Sequence, residues 1–94
     1  MDENKIIEIL RYYSPEAQTA KAIEEFAELQ VELAKILNKQ GSKRNLVSEL
    51  ADTFIMLVQI MVIYDIDLKE LDGEMAFKLR RQIKRIKEAE NERD

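Results

Sequence analysis

The chain predicts an all-α fold, a bundle of four helices, and three observations predict it. Its 94 residues include only two Gly and one Pro. Its β-branched residues nowhere alternate with polar ones, whereas apolar residues recur at helical spacing through most of the sequence. Finally, the stretch 45–64 has no Gly or Pro and is 20 residues long, far longer than an ordinary strand.

Each element has its own signals. Residues 3–13 form a short first helix with Asp2 as N-cap, and Ile6, Ile7, Ile9, Leu10 and Tyr13 supply its apolar side. Ser14-Pro15-Glu16 starts the second helix: Ser caps, Pro takes the first helical position, and an acid follows in the first turn. This helix runs from Pro15 to about Lys39 with Ala20, Ile23, Ala27, Val31 and Ala34 at helical spacing, and Gly41 as the C′ residue that ends it. The third helix, capped by Asn45 or Ser42, ends near Asp65. Its segment 54–63 holds nine apolar residues and one glutamine. A helix apolar nearly all round must be covered by its own chain or by a partner, so the bundle is expected to be completed by oligomerisation. Asp67-Leu68-Lys69-Glu70 has the form of a capping box with Asp in place of Ser or Thr. The fourth helix follows to about Ala89, with Leu68, Leu71, Met75, Leu79, Ile83 and Ile86 on one face and Gly73 as a candidate interruption. Residues 1–94 form one domain, with 1–14 as an N-terminal helix and 88–94 as a charged tail expected to fray.

Composition narrows the chemistry. There is no cysteine, which excludes disulfides and thiolate metal sites, and no histidine, which removes the usual general base and zinc ligand. Any metal must be held by oxygen, which favours Mg²⁺, Mn²⁺ or Ca²⁺. The 15 basic and 19 acidic residues give a net charge of −4, which argues against nucleic acid as the partner. The apolar run at 54–63 is too short to span a bilayer, and the N-terminus lacks the pattern of a signal peptide. The expectation is a cytoplasmic protein with no membrane partner.

Acidic residues supply the candidate site. Glu25, Glu28 and Glu32 lie at i, i+3 and i+7 on one face of the second helix, with Glu24 beside them; Glu49 and Asp52 lie at i, i+3 at the mouth of the apolar third helix. The short connection between these helices favours antiparallel packing, which would let the two acidic segments face each other. Four or five carboxylates could then hold one or two Mg²⁺ ions, provided a substrate phosphate completes the shell. Paired acids at this spacing also mark solvated faces, and Asp67 and Glu70 share the spacing while reading as a cap. What favours a site is that Glu49 and Asp52 abut the most apolar segment, where solvation is hardest. On the fourth helix Lys78, Arg81 and Arg85 lie at i, i+3 and i+7, either a solvated basic face or a phosphate clamp. Gln18, seven residues before Glu25, is a candidate nucleobase contact, though such a glutamine is more often simply exposed. Met56 and Met61 read as core or interface.

Glu25-x-x-Glu28, a 20-residue gap and Glu49-x-x-Asp52 resemble the signature of the MazG-type, all-α nucleoside triphosphate pyrophosphohydrolases. The flanks, Lys21-Ala22-Ile23-Glu24-Glu25-Phe26-Ala27-Glu28-Leu29 and Asn45-Leu46-Val47-Ser48-Glu49-Leu50-Ala51-Asp52, fit as well. Lys78-x-x-Arg81 is similar to a basic pair on the family's last helix. The resemblance covers roughly residues 15–86. It implies a MazG-like bundle, dimeric or tetrameric, that hydrolyses a nucleoside triphosphate to monophosphate and pyrophosphate with Mg²⁺, Mn²⁺ being the possible substitute. It implies metal ligation by Glu25, Glu28, Glu49 and Asp52, with Glu24 ligating metal or orienting the attacking water. Lys78 and Arg81 would contact phosphates, with Lys21 and Gln18 as further substrate contacts. Without histidine a glutamate must take the proton, and Glu24 or Glu25 is expected in that role. The implied role is nucleotide-pool housecleaning. A same-fold relative narrow for dUTP, dCTP or phosphoribosyl-ATP, and a non-catalytic helical interaction module, are the alternative readings.

Overall fold

The computed structural model describes residues 1–93. They form four α-helices and no strand: α1 (Glu3–Tyr12), α2 (Pro15–Leu37), α3 (Lys43–Ile63) and α4 (Leu68–Arg93). The helix starts follow from side-chain caps. Asp2 accepts from the amides of Asn4 and Lys5, and Ser14 accepts from Ala17 with Pro15 at the first helical position. Ser42, not Asn45, caps α3, its Oγ accepting from the Asn45 amide at 3.1 Å. Asp67 Oδ1 accepts from the Lys69 amide at 2.8 Å, an N-cap bond to the second helical residue in place of the capping-box bond to Glu70.

One helix end differs from expectation in the residue that turns the chain. α2 stops at Leu37, and Lys39, not Gly41, takes the left-handed conformation with φ 61°. The Gln40 amide bonds to the Lys35 carbonyl at 2.8 Å and the Lys39 amide to Ile36 at 3.0 Å, the paired bonds of a Schellman end. α3 ends the same way at Asp65, with Ile66 bonded to Met61 and Asp65 to Val62. Gly41 serves a different need: a Cβ there would lie 2.7 Å from the Ile36 Cγ1. At the fourth helix Gly73 causes no interruption, and helix continues through the 88–93 segment that composition marks as a fraying tail; Asp94 lies outside the described residues.

The packed unit is smaller than a four-helix bundle. α2 and α3 pack along each other, α1 lies against α3, and α4 makes no comparable contact with the other three. No residue of α4 is buried. The molecule is accordingly elongated, 58 × 37 × 22 Å. The buried apolar residues are Ile6, Ala22 and Met56, while Val47, Phe54 and Val62 of α3 and Met75, Ile83 and Ile86 of α4 stay exposed. Counted from Lys43, α3 has 21 residues and contains an 18-residue window of mean hydropathy 1.9, enough by length and composition to cross a membrane, unlike the ten-residue run alone. Against that reading, α3 presents Glu49, Thr53 and Gln59 among its less exposed positions, costly groups to place in hydrocarbon.

Candidate metal centre

The α2–α3 seam is polar at alternate steps. From α2 it buries Gln18, Ala22, Glu25 and Glu32, and from α3 Thr53, Met56 and Gln59. Helical periodicity brings these α2 positions to one stripe, and packing then removes their water. At one end, Gln18 Nε2 donates to Gln59 Oε1 at 2.7 Å, and Gln59 is only 2% exposed. Beside them the Thr19 hydroxyl donates to the Pro15 carbonyl at 2.8 Å, so the 2.7 Å contact with Tyr64 has the phenol as donor. Thr53 donates to the Glu49 carbonyl within its own helix at 2.8 Å.

The acids lie in the middle of the seam. Carboxylate oxygens of Glu25, Glu49 and Asp52 all fall within 4.8 Å of one another. Glu25 is buried, Glu49 half-buried and Asp52 exposed, so the group runs from the interior to the rim. Among the described residues, burial leaves three side-chain oxygens without a hydrogen-bond partner: Oε2 of Glu25, Oε1 of Glu32 and Oε2 of Glu49. Such groups are costly unless a cation or proton meets them. Among the described residues, the cation within ion-pair distance of Glu25 is Lys21, 3.2 Å from Oε1; it also reaches Glu24 at 3.6 Å. The hydrogen bond to Glu25, then the charges of Glu25 and Glu24, push the Lys21 pKa up. An all-oxygen donor set with unpartnered buried oxygens fits a hard divalent cation.

Desolvation first, then repulsion from Glu28, Asp52, Glu25 and Glu32, push the Glu49 pKa up from about 4.5. A raised carboxylate pKa means that the folded chain binds this proton more tightly than the unfolded chain does. The associated stability is complete below the ordinary glutamate value and is lost as pH rises through the raised one. In chelator, the melting temperature is therefore expected to fall as pH climbs out of the ordinary carboxylate range. Glu49→Gln should flatten that slope, as read by thermal melts across pH.

The other candidate residues are placed as follows. Glu28 is exposed on the rim and is close enough to Glu49 to raise its pKa, though it lies outside the 4.8 Å group. Glu24 points to solvent and pairs with Lys21. Gln18 faces the seam, its amide engaged with Gln59. Lys78 and Arg81 sit on α4, apart from the acids; Arg81 lies 5.8 Å over the Phe77 ring. Tyr12 and Tyr13 stack edge to face at the surface, not in the core. The larger surface grooves run along α4, beside Leu79, Ile83 and Lys87, and between α1 and α3, away from the carboxylates. Glu32, expected on the acidic face of α2 though not in the four-acid motif, is buried in the seam, and Gln59 is the polar seam residue that the sequence reading did not place in a site. Gln59 interrupts the apolar run, and Glu32 falls two turns after Glu25; those are their only sequence signals. Comparison with protein-family models, curated proteins and solved structures gave no match to the chain.

Proposed function

We propose that this chain is a Mg²⁺-dependent nucleoside triphosphate pyrophosphohydrolase of MazG-like type, releasing a monophosphate and pyrophosphate. The observation that carries the reading is the convergence of Glu25, Glu49 and Asp52 from two helices within 4.8 Å, with buried oxygens left unpartnered. That arrangement has little value for stability alone, because it crowds like charges in a desolvated seam.

Glu25, Glu49 and Asp52 would hold the cation, with Glu28 joining from the rim. The ion would supply charge neutralisation for the triphosphate and activation of water. This chain's own residues then have distinct tasks. Glu25 or Glu24 takes the proton of the attacking water, and of the two only Glu25 lies inside the carboxylate group. Lys21, beside Glu25 and half exposed, reaches outward to phosphate oxygens. Lys78 and Arg81 sit on α4, which does not pack closely on α2 or α3. They would meet the phosphates from a second copy, in a dimer or tetramer that also covers the apolar faces of α3 and α4. A nucleotide substrate implies an aqueous, cytoplasmic setting and a housecleaning role.

One observation favours a second reading. The bare apolar stripe of α4 also suits a helical module that engages a partner protein without catalysis. The test is a product assay with Mg²⁺ and a panel of ribo- and deoxyribonucleoside triphosphates. Monophosphate plus pyrophosphate is the expected result, and the ranking would separate a broad substrate range from one narrow for dUTP or dCTP. Orthophosphate release would overturn the proposed cleavage. No turnover, together with no Mg²⁺-dependent thermal shift, would favour the interaction module.

A further inference from the structure

We infer that Glu32 is a divalent-cation ligand, acting with Glu49 at a position one step along the seam from the Glu25–Glu49–Asp52 group. The inference rests on the reading of the seam as a metal centre and extends it to a residue outside the four-acid pattern.

Glu32 is 6% exposed, and its Oε1 is closed to solvent with no hydrogen-bond partner. Among the described residues its other oxygen pairs with Lys35 alone, at 3.8 Å, from a half-exposed ammonium on the next turn of the same helix. An ion pair that long and that exposed contributes little. It leaves a buried carboxylate essentially uncompensated, a costly state.

Glu32 follows Glu25 by two helical turns, so both face α3 from one stripe. Glu49 stands across the seam on α3, half-buried and with an unpartnered oxygen of its own. The three unpartnered buried oxygens belong to these three side chains. Glu25 and Asp52 account for one cation position shared with Glu49. The oxygen on Glu32 is left over, and a cation shared with Glu49 satisfies it. Oxygen-only donors, buried on one side and reached from the rim at Glu28, suit a hard ion whose remaining ligands are water or phosphate.

The probe is Mn²⁺ added to the metal-free full-length chain, followed by calorimetry and by the free-Mn²⁺ electron paramagnetic resonance signal. Wild type is expected to take two equivalents. Glu32→Gln should lose one of them, or bind it about tenfold or more weakly, while circular dichroism shows unchanged helicity. Metal-free Glu32→Gln should also melt higher than wild type, since it removes an uncompensated buried charge. Glu25→Gln should lose the other equivalent. Unchanged Mn²⁺ binding by Glu32→Gln, with a lower metal-free melting temperature, would overturn the inference and assign Glu32 to a structural pair with Lys35. In that case, loss of Mn²⁺ in Glu25→Gln would leave the metal centre standing. Absence of Mn²⁺ binding in wild type would overturn both.

Discussion

Glu25→Gln is expected to lower Mg²⁺-dependent triphosphate turnover by about a thousandfold or more, equivalent to roughly 4 kcal/mol of lost transition-state stabilisation. The substitution keeps the shape of the side chain and removes its charge. Glu25 is the one acid that is both buried and within the carboxylate group, so no neighbouring solvent replaces it. Far-UV circular dichroism should be unchanged, because Glu25 contributes no cap and no interhelical hydrogen bond among the described residues. Glu24→Gln is the internal comparison, since that carboxylate lies at the surface beside the same lysine. If Glu25 both holds the cation and takes the proton, Glu24→Gln keeps most of the activity. If Glu24 takes the proton, its variant loses turnover while its Mn²⁺ titration stays that of wild type. Near-normal kcat at saturating Mg²⁺ in both variants would remove glutamate general-base catalysis from the mechanism.

Met56→Ala is expected to destabilise the fold by about 2–5 kcal/mol, read from urea or thermal unfolding by circular dichroism. Met56 is 5% exposed and is the one large apolar side chain that α3 buries. A chain of this size has little else to replace it. Stability of small domains is typically about 5–15 kcal/mol, so this single truncation would remove a large fraction. Phe54→Ala is the contrast. Phe54 is 58% exposed, and an exposed substitution in an isolated chain should stay within about 0.5 kcal/mol. A larger loss at Phe54 that disappears on dilution would mark that side chain as part of a contact between chains.

These two expectations depend on different levels of information. The helices were legible residue by residue. Asp2, Ser14 and Pro15 act where their spacing places them, because a cap bonds to amides two or three residues away. Even the misassigned turn residue at the end of α2 has a local cause. Lys39 adopts the left-handed conformation that glycine favours, and a search for glycine points to Gly41 instead. The helix-ending bonds to Lys35 and Ile36 hold Lys39 there.

The acidic pattern was equally legible as spacing, since i, i+3 and i+7 are properties of any helix. Which acids lose their water is a different matter. Glu25 and Glu32 are buried while Glu24 and Glu28 are exposed, and all four lie within nine consecutive residues. The register and approach of α3 across the seam decide between them. The same register sets Gln18 against Gln59, 41 residues apart, a pairing that no local rule marks. The position of α4 shows the limit most plainly. Its apolar stripe predicts a covered face, yet within one chain nothing covers it. Sequence by itself determined four helices, most of their caps and the carboxylate spacing, because backbone bonds and caps act over a few residues. Only the tertiary structure decided which carboxylates are desolvated and which helix stands apart, because burial is a property of two surfaces.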